Sequence, residues 1–202
     1  MEEKEIIFSK QLIVIGGSSG ALDALLTILS LLNKDFNIPV IIVFHRSQGS
    51  DNGLIDVLSS RSALQIKEAD EKDELLPGYM YVAPADYHLL IENNGSLSLD
   101  VSEKVYYSRP SIEVSFLSAA SAYKENLVAV LLSGANADGA YAMTKVKALG
   151  GKNIVQDPAE AAVPYMPEQA IALSPIDNIL PAHGIAALLN QLSEDLKRKL
   201  IN

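Results

Sequence analysis

The sequence predicts an α/β fold: a doubly wound, mostly parallel sheet of about seven strands, with helices on both faces and an added antiparallel hairpin. Short, wholly apolar runs such as Val40–Phe44 are typical of strands buried on both faces of a parallel sheet. Segments with apolar residues at helical spacing, such as Ala21–Leu32, alternate with these runs. The turn Asn93-Asn94-Gly95 separates two alternating runs, which indicates a hairpin.

Strands are expected wherever a short apolar or alternating run is bounded by polar or turn-forming residues: Leu12–Ile15, Val40–Phe44, Leu64–Ala69, Tyr79–Ala83, His88–Glu92, Ser96–Val101, Asn126–Leu132, Asn153–Gln156 and Asn178–Leu180. Helices are expected where apolar residues repeat at helical spacing: Ala21–Leu32, Leu54–Arg61, Ser111–Lys124, Asp138–Leu149, Glu168–Leu173 and Ile185–Leu200. Strand and helix alternate with no repeat or linker between them. We therefore expect a single domain over residues 1–202.

Composition excludes several classes of function. The net charge of −9 argues against nucleic acid or an anionic membrane surface as a partner. The absence of cysteine removes disulfides, thiolate metal sites and a cysteine nucleophile, and three scattered histidines do not suggest a metal site. No apolar stretch is long enough to span a membrane, and the acidic start Met1–Glu5 does not resemble a signal peptide. We expect a soluble, cytoplasmic protein without a metal.

Three of the most apolar predicted strands are each followed by a different polar residue. Ser18 follows the first strand, His45 follows the second, and Asp138 lies shortly after the strand Asn126–Leu132. In parallel sheets, ligands bind just beyond the carboxyl ends of the strands. Serine, histidine and aspartate at that edge are the parts of a nucleophile, its base and the group that orients the base. The sequence therefore suggests an enzyme, with helix N–H groups nearby to stabilise an oxyanion.

Each of these residues also has a structural explanation. Ser18 or Ser19 could be the N-cap of the helix that follows, and Asp138 could cap the helix that it opens. The turn Gly16–Gly20 matches the Gly-x-Ser-x-Gly pattern of a nucleophile elbow. It does not match a dinucleotide-binding loop, because two of the required glycines are missing and Val40–Phe44 ends on a histidine instead of an acidic residue.

Six ordered blocks resemble the catalytic domain of the chemotaxis protein-glutamate methylesterases, over about residues 12–189. They are Gly16-Gly17-Ser18-Ser19-Gly20-Ala21, His45, Pro77–Pro84, Arg109-Pro110-Ser111-Ile112-Glu113, Ser133-Gly134-Ala135-Asn136-Ala137-Asp138-Gly139-Ala140, and Gln156-Asp157-Pro158 with Val163-Pro164-Tyr165-Met166-Pro167. The resemblance implies that Ser18 is the nucleophile, His45 the base and Asp138 the orienting acid. It implies hydrolysis of glutamate γ-methyl esters on the cytoplasmic helices of methyl-accepting chemoreceptors, with deamidation of glutamines as a side activity and no cofactor.

The sequence departs from the family at the pocket and in its organisation. The family motif Thr-Gly-Met-Gly has Ala135 and Asn136 in its last two positions here; these residues, with Ser19 and Arg109, are our candidates for the oxyanion site or pocket. The family's N-terminal receiver domain has no counterpart in the sequence, so we expect an uncovered site and control by a separate regulatory protein. Two alternatives stay open: a non-catalytic domain that binds a receptor or kinase, and a domain that binds a small anion at Gly16–Ala21.

Overall fold

The computed structural model of the protein describes residues 11–46 and 53–201, so the acidic start of the sequence lies outside it. Within these ranges the strands are β1 (Leu12–Gly17), β2 (Val40–Phe44), β3 (Gln65–Glu68), β4 (Tyr79–Val82), β5 (His88–Ile91), β6 (Leu97–Asp100), β7 (Leu127–Leu131), β8 (Lys152–Gln156) and β9 (Asn178–Leu180). The α-helices are α1 (Ala21–Leu31), α2 (Leu54–Ser59), α3 (Ile112–Tyr123), α4 (Ala142–Ala148), α5 (Tyr165–Leu173) and α6 (Ala182–Ile201).

Seven of the strands form one parallel sheet in the order β3-β4-β2-β1-β7-β8-β9, and β5 pairs with β6 as an antiparallel hairpin. The predicted fold class is therefore confirmed. β1 is the central strand, with β2 on one side and β7 on the other. This order matters for function, because it places the carboxyl ends of these three strands side by side.

The two faces of the sheet carry separate hydrophobic cores. Ile13 and Ile15 of β1 face the core formed with α1, α2 and α6, whereas Leu12 and Val14 face the core formed with α3, α4, α5 and the hairpin. All six residues of β1 are buried. A strand that is buried on both faces has no solvent-exposed side that would carry polar residues, which explains why its sequence is a continuous apolar run.

The hairpin β5–β6 packs against α3 on one face of the sheet. Its strands are paired from His88–Asp100 to Ile91–Leu97, and the Glu92 N–H donates to the Ser96 carbonyl (2.9 Å). Gly95 in the connecting turn has φ +80°, a conformation that glycine adopts at little cost. The hairpin predicted at Asn93-Asn94-Gly95 is confirmed.

Three helices begin three or more residues away from the start that the sequence suggested. α4 begins at Ala142 instead of Asp138, because residues 138–141 form a turn. α5 begins at Tyr165 and includes a proline in its first turn, where the missing N–H is tolerated. α6 begins at Ala182 instead of Ile185, and the Glu160 carboxylate accepts the Ala182 N–H (2.7 Å).

Candidate active site

The carboxyl ends of β1, β2 and β7 bring the polar residues predicted from the sequence to one edge of the sheet. Gly17 of β1 is paired with Phe44 of β2, so the next residues, Ser18 and His45, leave adjacent strands side by side. On the other side of β1, the Ser18 N–H donates to the Ser133 carbonyl, just after β7 (2.9 Å). The candidate nucleophile therefore lies between the ends of the two strands that flank its own.

Asp138 is fully buried, and its carboxylate accepts four hydrogen bonds. Oδ2 accepts from His45 Nε2 (2.7 Å) and from the backbone N–H of Ile112 (2.8 Å). Oδ1 accepts from the Ser111 hydroxyl (2.8 Å) and from the backbone N–H of Glu113 (2.9 Å). A carboxylate has about four acceptor sites, and these donors use all of them. The carboxylate is thus held in one orientation with an oxygen on the imidazole.

The helix that Asp138 caps is not the one that follows it in the sequence. We expected Asp138 to open its own helix, but α4 starts four residues later. Its oxygens accept N–H groups from the first turn of α3, next to Ser111, which is the N-cap of that helix. The positive end of the α3 dipole also favours the negative charge there. The sequence correctly suggested that Asp138 caps a helix, but it suggested the wrong helix, because a sequence shows only which residues are neighbours along the chain.

Glu113, in the first turn of α3, makes the reciprocal contact. Its Oε2 accepts from the backbone N–H groups of Gly139 (3.2 Å) and Ala142 (3.1 Å), in the turn that carries Asp138. Burial raises the pKa of the Glu113 carboxyl, the Ala142 N–H opposes this shift, and the charge of Asp138 adds to it. Two buried carboxyl groups therefore each bind the backbone of the other's segment and fix α3 against the turn.

The reciprocal contact requires α3 to approach the sheet very closely, and two glycines make this possible. A Cβ atom on Gly16 would lie 2.4 Å from Ile112 Cγ2, and one on Gly139 would lie 2.5 Å from the same atom. Gly139 also has φ +86°, which side-chain-bearing residues rarely adopt. Ile112 occupies the space that these glycines leave, and its N–H reaches Asp138 as a result.

The turn that carries Ser18 has no side-chain cap. The N-cap of α1 is Gly20, with φ +76°, so neither Ser18 nor Ser19 has the capping role that was the alternative explanation. Ser18 is half-buried and Ser19 is exposed. Within residues 11–46 and 53–201, the Ser18 hydroxyl and His45 Nδ1 have no hydrogen-bond partner, and the bond between the two is not formed. His45 Nε2 is already engaged with Asp138, so Nδ1 is the ring nitrogen left for Ser18.

Ser133 stabilises the turn that carries Ser18 and Ser19 by hydrogen bonds. Its buried hydroxyl donates to the Ser19 carbonyl (2.8 Å) and accepts from the Val163 N–H (2.9 Å). Its own N–H donates to the side-chain oxygen of Gln156 (2.9 Å), which is also buried. The turn that carries Ser18, the end of β7 and the loop after β8 are thereby joined at one buried serine.

The remaining candidates lie around the same edge. Ala135 is exposed, and the Asn136 side chain accepts the backbone N–H two residues further along (3.1 Å). The guanidinium of Arg109 donates to the carbonyls of Val101 (2.7 Å) and Ser102 (2.8 Å). These bonds give Arg109 a structural role in holding the loop before α3. Its contact with substrate stays a prediction.

Sequence analysis missed the supporting role of His88 and Ser111. His88 is fully buried; its Nδ1 accepts the Ser111 N–H (3.2 Å), and its Nε2 donates to the Glu103 carbonyl (2.9 Å). Through Ser111, the hairpin therefore supports the Asp138 carboxylate. The signal that could have found Ser111 is its place just before the apolar face of a predicted helix, where serine is a favoured N-cap.

The described part of the chain has neither a cluster of metal-ligating side chains nor a helix that could span a membrane. No group of three or more histidine, aspartate or glutamate side chains there could hold a metal ion. None of the helices in residues 11–46 and 53–201 is long and apolar enough to cross a membrane.

The sheet and its edge define a class: doubly wound α/β proteins in which a serine, a histidine and a buried aspartate converge beyond three adjacent strands. The family profile described as CheB methylesterase matches residues 13–189. This chain belongs to the CheB methylesterase family. The resemblance noted from its motifs is thereby confirmed.

Individual relatives extend this result. A protein of Leptospira interrogans is 43% identical over 183 residues, which cover 91% of this chain and 95% of that protein. The protein-glutamate methylesterase/protein-glutamine glutaminase of Thermotoga maritima is 37% identical, but this chain spans only 54% of its length. The crystal structure of the Thermotoga maritima CheB methylesterase catalytic domain superposes with a TM-score of 0.86 at 36% identity, covering 90% of this chain and 98% of that one.

Proposed function

We propose that this protein is a serine esterase that hydrolyses γ-methyl esters of glutamate side chains in proteins. The observation that carries the proposal is the 2.7 Å hydrogen bond between His45 Nε2 and the buried Asp138 carboxylate, directly beside the strand end that carries Ser18. The names of the Thermotoga maritima relatives support the choice of ester.

In the first half-reaction, Ser18 Oγ attacks the carbonyl carbon of the ester, and His45 Nδ1 takes the hydroxyl proton. Asp138 accepts a hydrogen bond from the Nε2–H group, so it fixes the tautomer that leaves Nδ1 free and stabilises the imidazolium that forms. The tetrahedral intermediate then breaks its bond to the methoxy group. His45 returns the proton to that oxygen, methanol leaves, and an ester of Ser18 remains.

In the second half-reaction, water attacks the same carbonyl carbon while His45 takes one of its protons. The bond to Ser18 Oγ breaks, the proton returns to Ser18, and the glutamate carboxyl group is released. The same steps applied to a glutamine side chain release ammonia, which corresponds to the glutaminase activity in the name of the Thermotoga maritima relative.

The charge on the carbonyl oxygen needs N–H donors in both half-reactions. Within the described residues, the backbone N–H groups of Ser19 and Ala135 donate to no protein acceptor, and they lie after β1 and β7 at the same edge. We assign these two groups to the oxyanion site. A backbone donor does not depend on its side chain, so alanine in place of the family's methionine at 135 leaves the donor in place.

The substrate that the resemblance implies is the cytoplasmic helices of methyl-accepting chemoreceptors, and we propose these as the partner. The alternative of a small anion at Gly16–Ala21 is disfavoured by charge. A cavity of about 250 Å³ beside Gly20 is lined by the carboxylates of Asp23 and Glu160, which would repel an anion.

A covalent label on Ser18 tests the proposal. We expect a fluorophosphonate probe to modify Ser18, located by peptide mass spectrometry, and Ser18→Ala to abolish both labelling and ester hydrolysis, a loss on the order of 10⁴–10⁶ in kcat. Ser19→Ala is the matched control, because it removes a hydroxyl one residue away and keeps the N–H. Labelling that persists in Ser18→Ala would place the nucleophile on another serine, whereas an unlabelled and inactive wild-type chain would favour a non-catalytic binding domain.

A further inference from the structure

The exposed aromatic side chains of this protein lie at one edge of the sheet. Within residues 11–46 and 53–201, the exposed aromatic residues are Tyr87, Tyr106, Tyr107, Tyr141 and Tyr165. The other aromatic side chains in those ranges are buried or half-buried. Four of the exposed tyrosines belong to segments between the carboxyl end of a strand of the sheet and the next helix of the sheet, and Tyr165 is the first residue of such a helix. This is the edge where Ser18 and Asp138 lie.

Short stretches of chain connect each of these tyrosines to the site. Tyr87 directly precedes His88, which supports the cap of α3. Tyr141 comes three residues after Asp138, immediately before α4, and Tyr165 is the first residue of α5. These tyrosines therefore belong to three different connections that leave the edge of the sheet where the candidate active site lies.

Tyr106 and Tyr107 form the most unusual of these segments. They are the two central residues of a tight turn in which Val105 and Ser108 exchange hydrogen bonds (3.2 and 2.9 Å). Both have left-handed backbone conformations, with φ +50° and +62°. Asparagine and glycine adopt such a turn easily, whereas tyrosine does so at a cost. Strain of this kind, held at the edge of a site, points to a function for the side chains.

The two side chains of this turn differ in their surroundings. Tyr106 is 41% exposed, and burial raises its pKa, with smaller contributions from the charges of Glu113 and Asp138. Tyr107 is 98% exposed and extends into solvent. A small ester bound at Ser18 is not expected to contact Tyr107, whereas a substrate that extends beyond the ester group is.

We propose that the Tyr106–Tyr107 turn is a docking element for the polypeptide that carries the ester, and that it contacts apolar side chains flanking the esterified glutamate. Tyrosine provides a large, rigid contact area and is enriched among residues that dominate binding energy at protein interfaces. The net charge of −9 disfavours an anionic lipid surface as the occupant. This inference rests on the proposed esterase function and names how its substrate is held.

The test compares a small ester with a polypeptide ester in Tyr107→Asn. Asparagine suits the left-handed backbone, so this variant removes the ring without disturbing the turn. We expect KM for a methyl-esterified peptide of the substrate helix to rise about tenfold at unchanged kcat, while kcat/KM for p-nitrophenyl acetate stays within about twofold. Tyr107→Phe keeps the ring and should restore KM. Leu173→Ser, which removes an exposed apolar side chain at the far end of α5, should change neither substrate.

The outcomes separate the docking role of the turn from the proposed esterase function. Equal losses on both esters would show that the turn acts in the chemistry and would overturn the docking role, as would no change on either. If Tyr107→Asn instead converts a dimer to a monomer with KM unchanged, the turn is a surface between copies of this chain, and the inference is also wrong. A wild-type chain that hydrolyses neither ester overturns the proposed function itself, and the docking role with it.

Discussion

Replacing Asp138 with asparagine separates the two roles of this residue in the fold and in the site. The carboxylate accepts four hydrogen bonds, two on each oxygen, and an amide offers only one oxygen. Whichever way the amide is oriented, its NH₂ group faces either the Ile112 N–H or the Glu113 N–H. One buried backbone donor therefore loses its acceptor, which costs about 1–3 kcal/mol.

The hydrogen bonds that remain also become weaker, because bonds to a charged acceptor contribute about 1.5–3 kcal/mol and neutral ones about 0.5–1.5 kcal/mol. The smaller cost of burying a neutral amide offsets much of this difference. We therefore expect Asp138→Asn to lower the free energy of unfolding by about 2 kcal/mol, or to lower Tm by about 4–8 °C in a chain of this size. Urea denaturation measures this loss of stability, and we expect the slope of the unfolding free energy against urea concentration to be unchanged.

The effect of Asp138→Asn on catalysis should be much larger than its effect on stability. An amide NH₂ that faces His45 Nε2 favours the tautomer with the proton on Nδ1, which cannot accept a proton from Ser18. We expect a loss on the order of 10⁴-fold in kcat on a methyl ester. Ser111→Ala is the control, since it removes one neutral donor to Oδ1 and leaves His45 paired; it should cost less than about tenfold. An Asp138→Asn enzyme that is less stable but fully active would show that the residue is only a cap.

Two further predictions concern the contact between α3 and the turn. The pKa of Glu113 is raised above 4.5, its ordinary value, so the folded state holds that proton more tightly than the unfolded state. The wild-type protein should therefore lose stability as pH rises from 4.5 through the raised pKa. Glu113→Gln should reduce this loss, measured as urea midpoints between pH 4 and 8. Gly16→Ala places a Cβ 2.4 Å from Ile112, and it should lower the free energy of unfolding by about 1–3 kcal/mol and remove most of the activity. Gly184→Ala, whose Cβ would have its nearest neighbour at 3.4 Å, should change stability by less than about 1 kcal/mol and leave activity intact. Equal effects of the two glycine variants would contradict the close approach of α3.

The parts of the fold that follow from local pattern could be predicted from the sequence. β2 and β9 have the predicted bounds, because each run is bounded on both sides by residues that end a strand. The shared edge of Ser18, His45 and Asp138 also followed from the sequence, because residues after parallel strands meet at one edge whatever the order of the strands. That these three residues share one edge was therefore predictable without knowing the strand order, whereas the contact between His45 and Asp138 depends on β2 and β7 both lying next to β1.

The parts that depend on contacts between distant segments could not be predicted. The N-terminus of α3 is 27 residues before Asp138 in the sequence, and nothing in either segment alone indicates that the two meet. Gly16 carries a signal, since glycine inside a buried strand suggests close approach of another backbone, but the signal does not name Ile112 as the neighbour. The start of α4 was placed wrongly for the same reason: the N–H groups of Gly139 in the preceding turn and of Ala142 at the start of the helix both bond to Glu113, which belongs to a distant segment.

The buried hydroxyl of Ser133 has a consequence for how the site works when substrate arrives. A serine turn that opens with glycine and lacks a cap of its own is intrinsically free to change shape. Here its conformation is fixed from outside by Ser133, which also holds Val163 in the loop that leads to α5. The entropy of ordering Ser18, the proposed nucleophile, is therefore lost once, when the chain folds, and not again at each encounter with substrate. A movement of that loop would also shift the turn that carries Ser18, because Ser133 bonds to both.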